Sequence, residues 1–134
     1  MIYWARYSPI FVSASKRVKL TTLTQTPITT VSHNARISKQ ALIRYGELPP
    51  LTNFSQATFP PGEIAPAHAH PDMLEVFFIQ SGHAAITVDG IEYDLPAGSC
   101  ISIEPGETHE LRNASACDEL LVTYFGIQVS TVHR

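Results

Sequence analysis

His68 and His70, then Glu75 and much later His109, are the residues of this chain whose types and spacing could do chemistry. The two histidines are one residue apart in a segment that reads as extended. Side chains at i and i+2 of a strand point to the same face, about 7 Å apart. Two imidazoles can therefore converge on one ion. Glu75 can return across the short turn at Pro71 and Asp72, and His109 can arrive from a later strand. Three nitrogens and one carboxylate oxygen suit a divalent transition metal such as Fe, Mn, Ni, Cu or Zn. If the four converge, the ion keeps room for a water or a substrate.

Glu75 carries its own argument. It interrupts an otherwise apolar run over residues 73–79. A buried carboxylate without a partner is costly, so it needs a cation or a donor. A metal supplies one, and a salt bridge to Arg44 or Arg112 is the structural alternative.

The elements that must position these residues are short and extended. Residues 40–45, 53–59, 64–70, 73–80, 84–88, 91–95, 100–103, 109–112 and 119–125 read as strands, rich in β-branched and aromatic residues and bounded by Pro and Gly. Asp89-Gly90 is a strong two-residue hairpin signal. Pro66 points to an edge strand or a bulge. No segment holds a long helical apolar period, although a short helix is possible within residues 1–37. Eight or more short strands at this spacing indicate an antiparallel sandwich or barrel.

The chain has 134 residues, 44% of them hydrophobic and 16% charged, which fits one domain able to bury a core. No run approaches the roughly 18–20 apolar residues of a membrane span, so no membrane partner is expected. The net charge of −3 is unevenly spread. Residues 1–46 carry seven Lys or Arg and no acid, and all twelve acids follow. The basic residues are scattered and no nucleic-acid motif accompanies them, so the basic segment reads as an arm that packs on an acidic body, not as a nucleic-acid surface. Residues 1–32 also have the Ser/Thr-rich, acid-free character of a targeting leader. Two cysteines, Cys100 and Cys117, form no disulfide framework, and the default compartment is the reducing cytoplasm.

The spacing extends beyond the four candidate ligands. Gly62, five residues, His68-x-His70, four residues, Glu75, six residues and Gly82 resemble the first signature motif of the cupin family. Gly98, then Pro105-Gly106, two residues, His109, three residues and Asn113 resemble the second. Glu104 departs from the pattern, standing where the family usually has proline. The resemblance covers residues 38–126. It implies an all-β fold, an antiparallel double-stranded β-helix or jelly-roll barrel, taken here over residues 38–134; it says little about residues 1–37, which read as an N-terminal arm. It also implies a divalent metal (Fe, Mn, Ni or Zn) held inside by His68, His70, Glu75 and His109.

Strand alternation sorts the remaining candidates. Phe77 and Ile79 share the inward face with Glu75, and Leu111 shares it with His109. On the strand before the first motif, either Phe54, Gln56 and Thr58 or Ser55, Ala57 and Phe59 face inward. The first set is preferred because it turns Phe54 and Gln56 toward the cavity. Tyr124, with Tyr45 and Tyr93, completes the candidate lining. Asn113 is expected to fix a turn, and His33, His83 and His133 to lie on the surface. Glu104 is expected to face solvent, the sharper alternative being a second carboxylate at the mouth.

The functional expectation is a metal-dependent enzyme on a small organic substrate, dioxygenase-like in its metal-centred chemistry, since no general base is evident beyond the ligands. The alternatives are a Lewis-acid isomerase or lyase and a non-catalytic module that binds or senses a sugar or metabolite. The resemblance to small barrels that pair through N-terminal strands implies a homodimer.

Overall fold

A computed structural model describes residues 18–130. A 3-10 turn at Leu23–Gln25 precedes ten strands: β1 (Thr29–Val31), β2 (Asn34–Ile43), β3 (Leu51–Phe59), β4 (Ile64–His68), β5 (Met73–Ser81), β6 (His83–Val88), β7 (Ile91–Pro96), β8 (Cys100–Ile103), β9 (His109–Asn113) and β10 (Leu120–Gln128). They form a six-stranded sheet in the order β1-β2-β3-β10-β5-β8 and a four-stranded sheet in the order β4-β9-β6-β7. Every pairing is antiparallel. This is the jelly-roll architecture expected. Among the described residues no helix is long and apolar enough to cross a membrane.

Local chemistry explains the turns. Asp89 and Gly90 both take positive φ, 47° and 83°, which a two-residue turn needs if its twist is to match that of the flanking strands. Val88 and Ile91 pair directly across it. Pro66 lies on β4, an edge strand of the smaller sheet, and the β4–β9 register shifts between Ala65 and His68. An edge position and a bulge both occur, because proline has no N–H to give a ladder.

The core lies between the sheets. Ile37, Ile79, Ile86, Leu120 and Val122 are fully buried, with Leu95, Ile103 and Leu111 beside them. Burying each such aliphatic side chain is worth about 1.5–3 kcal/mol. Asn113 ties this core to the chain's turns. Its Nδ2 donates to the carbonyls of Phe59, Pro60 and Asp118 at 3.1, 3.1 and 2.8 Å, and its Oδ1 accepts from the Ser115 amide at 2.9 Å. It is the turn-fixing residue expected.

Two sequence readings differ from what the structure shows. The boundary drawn between residues 37 and 38 falls inside β2, which starts at Asn34 and carries the buried Ile37. The segment at 34–37 is therefore part of the larger sheet, because its apolar inward residue belongs to the core. The second difference is the phase of β3. Ser55, Ala57 and Phe59 are buried, and Phe54, Gln56 and Thr58 take the other face. Gln56 bonds Gln80 on the exterior at 3.2 Å. The cause is steric. Tyr124 of β10 pairs opposite Ser55, and Lys39 of β2 pairs opposite Ala57. The small residues leave room inside for two long neighbours. His133 lies outside the described residues.

Candidate metal centre and cavity

Three strands and one loop bring the ligands together. His68 ends β4 and His109 begins β9, and the register sets them opposite one another. Their rings lie 4.5 Å apart between centroids. His70 follows in the loop to β5, its ring 4.9 Å from that of His68. Its backbone carbonyl accepts from the Gly106 amide at 2.7 Å, which anchors the loop to the approach to His109. Glu75 reaches in from β5 of the larger sheet. Its Oε1 lies 2.9 Å from His109 Nε2 and 3.6 Å from His70 Nε2. One ligand atom from each of the four residues falls within a 4.8 Å cluster.

The donor set fits a divalent metal. Ligand atoms at about 2.0–2.2 Å on opposite sides of one ion stand at most about 4.4 Å apart, so a small closing movement suffices. The Nδ1 atoms of His68 and His109 lie 2.8 Å from the Pro66 carbonyl and 3.0 Å from the Glu107 carbonyl. A carbonyl only accepts, so each Nδ1 carries the proton and each Nε2 is left for a metal, the usual arrangement around ligating histidines. Burial is graded: His109 and Glu75 are 2% and 7% exposed, His70 is half-buried and His68 is exposed.

The electrostatics centre on Glu75. Burial pulls the His109 imidazole down, but the hydrogen bonds to Glu75 and the Glu107 carbonyl outweigh it, and the net shift is upward. His70 is lowered, by burial first and by the neighbouring imidazoles, against the pull of Glu75. The salt-bridge alternative for Glu75 does not form. Arg44 pairs with Glu47 at 2.8 Å and Arg112 with Glu92 at 2.9 Å.

Above the cluster opens a cavity of about 410 Å³. Phe77 and Leu111 line it, as the alternation predicts, and so does Tyr124, one of the three tyrosines offered as liners. Three other expectations fail. Phe54 and Gln56 face away, and Asn53, Ala57 and Phe59 take their place on the wall. Ile79 faces inward but lies in the packed core, beyond the cavity lining. Tyr45 is 78% exposed and Tyr93 43% exposed, away from the lining. Glu104 is exposed and outside the cavity lining, its amide donating to Glu107 Oε1 at 2.8 Å. Among the wall residues that the sequence reading missed is Lys39, which was counted only as part of the basic arm. Its signal was alternation with Ile37, two positions earlier on the inward face of β2.

A family model for the cupin domain matches residues 55–123, more than half of the chain. The chain belongs to the cupin family. Solved structures agree on the fold of this cupin. A protein described as a predicted oxalate decarboxylase from Thermotoga maritima superposes with a TM-score of 0.71 at 16% identity, covering 83% of this chain and 100% of that one. An RmlC-like cupin from Shewanella frigidimarina gives 0.66 at 21% identity over 82% and 91% of the two chains. A cupin-superfamily sugar phosphate isomerase from Silicibacter pomeroyi gives 0.69 at 15%, over 83% and 76%.

Proposed function

We propose that this cupin holds one divalent transition metal through His68, His70, Glu75 and His109 and acts as an enzyme on a small organic molecule. The observation that carries the reading is the convergence of four ligand atoms within 4.8 Å at a cavity of about 410 Å³. Cavities of this size take metabolites. When bound, a redox-active ion supplies dioxygenase-like oxidation, whereas a redox-inert one supplies Lewis acidity for isomerisation or elimination.

The chain's own residues have definable tasks. Pro66 and Glu107 carbonyls orient His68 and His109. Glu75 would neutralise part of a bound ion's charge from the buried side. Phe77 and Leu111 exclude water from the space a substrate would fill. The descriptions of two structural neighbours, a predicted oxalate decarboxylase and a sugar phosphate isomerase, name small oxygen-rich molecules and support the same substrate size. We include in the proposal a cytoplasmic location and a homodimer formed through the basic N-terminal segment; deleting residues 1–32 should yield monomer by light scattering, and an unchanged dimer would remove that idea.

Elemental analysis tests the central claim. Wild type, His68→Ala and Glu75→Ala proteins are reconstituted with Fe, Mn, Ni and Zn separately. One ion per chain is expected in wild type, with loss in both variants. Oxygen uptake with an iron- or manganese-loaded protein then separates oxidation from Lewis-acid chemistry, and ligand binding without turnover identifies a binding module. Failure of wild type to take up any of the four metals overturns the proposal.

A further inference from the structure

Five Lys or Arg side chains lie in the described residues, and four are paired. Lys19 and Arg44 meet Glu47, Arg36 meets Glu63, and Arg112 meets Glu92, all within 3.2 Å. Lys39 is the exception. Among the described residues no carboxylate lies within ion-pair distance of its ammonium, and no protein acceptor takes a hydrogen bond from it. Yet Lys39 is the one Lys or Arg among them that lines the cavity.

Its surroundings are unusual for a lysine. It lies opposite Ala57 on the inward face of the sheet, and its Nζ stands 5.9 Å from the centre of the Tyr124 ring. Burial draws its pKa down, and the negative charge of Glu75 partly restores it. Burial also pushes the Tyr124 phenol up to about 12, so Tyr124 stays a neutral hydroxyl able to donate. Contacts run from Lys39 to Tyr124, from Tyr124 to Phe77 at 5.6 Å, and from Phe77 to His109 at 6.0 Å. An aromatic wall thus joins the ammonium to the ligand cluster.

A bland explanation exists. The Tyr124 ring attracts a cation, and Glu75 balances the charge through space. That balance holds only while Glu75 is uncommitted. A divalent ion with one carboxylate and three neutral imidazoles leaves one positive charge, and Lys39 adds a second. Both would then share one largely apolar cavity, where unpaired charge is costly. A ligand carrying negative charge at both ends removes that cost.

Building on the metal reading above, we infer that Lys39 is the anion-recognition residue of this cavity: it grips the remote carboxylate or phosphate of a small organic acid whose other end faces the His68, His70, Glu75 and His109 cluster. Tyr124 and Phe77 flank the ligand between the two ends.

The test uses probe pairs that differ in a remote anionic group. Malate is compared with α-hydroxybutyrate for a carboxylate, and phosphoglycerate with glycerate for a phosphate. Calorimetry measures each on metal-loaded wild type, Lys39→Met and Lys39→Arg, with metal content and melting temperature recorded for each protein. In wild type at least one charged probe is expected to bind about tenfold or more tighter than its partner. Lys39→Met should bring that ratio near one and Lys39→Arg should preserve it, and whichever pair responds identifies the anionic group. The inference is overturned if folded, metal-loaded Lys39→Met keeps the wild-type ratio, or if wild type binds none of the probes. A wild type that takes up no metal but still shows a Lys39-dependent ratio sinks the metal reading and leaves the anion site standing.

Discussion

Replacing Asn113 with alanine removes a side chain that is 2% exposed and serves four backbone groups. Its amide has two N–H donors facing three carbonyls, so one N–H is shared, and the side chain amounts to about three full hydrogen bonds with the Ser115 amide included. At about 0.5–1.5 kcal/mol each, Asn113→Ala should cost about 1.5–4.5 kcal/mol. The Pro60 carbonyl keeps the Glu63 amide at 3.2 Å, so the loss falls on the Phe59 and Asp118 carbonyls. Urea denaturation reads the change as a lower midpoint with the slope retained. Metal stoichiometry should hold, since Asn113 touches none of the four ligands. Asn113→Asp sharpens the test. It keeps an acceptor for Ser115 but turns a carboxylate oxygen toward three carbonyl oxygens, so near neutral pH it should be less stable than the alanine variant. This buried acid would ionise less readily when folded, so its excess penalty should vanish below the unfolded carboxyl value of about 3.9 and grow as pH rises above it. A stability loss under about 0.5 kcal/mol in Asn113→Ala, within the range of ordinary surface changes, would refute this accounting.

Gly126 faces Glu75 across the β10–β5 pair, and a Cβ there would meet Thr52 Oγ1 and come within 2.7 Å of Met73 Sδ. Gly126→Ala should therefore destabilise by about 1–3 kcal/mol through overpacking, measured by urea denaturation. Ile79→Ala should cost about 2–5 kcal/mol by opening the core, while metal content per folded chain stays at the wild-type value by elemental analysis. The Glu47 carboxyl is held at about 2, first by the Arg44 amide and then by Lys19 and Arg44. Its folded value lies below the ordinary 4.5, so its contribution is present above 4.5 and lost as pH falls toward 2. A carboxyl-carbon NMR titration should place its midpoint near 2, and a midpoint at 4 or above would contradict the contacts.

The parts of the fold that were legible in sequence are those where a local rule has one solution. Asp89-Gly90 needed positive φ twice, and the turn is there. Glu75 in an apolar run demanded a partner, and His109 and His70 supply it. The β3 phase was not legible, because the choice between Phe54 and Ser55 depended on Tyr124 and Lys39, which approach from strands distant in sequence. Small residues facing inward reflect what their neighbours need, and a single strand does not display that. Ile79 had the right face but the wrong depth, since alternation tells inside from outside and not wall from floor. Lys39 was hidden by its charge. Grouping it with the basic residues of the first third of the chain obscured its phase with Ile37.

The graded burial of the four ligands bears on how an ion would exchange. One arriving through the mouth meets the exposed His68 and the half-buried His70 before Glu75 and His109. Departure runs in the opposite sense, and the innermost two bonds are the ones a competing chelator reaches last. Loading would then be quicker to begin than unloading is to finish. The chain would retain the ion it first captured, so its metal would record what was available when it folded more than what surrounds it later.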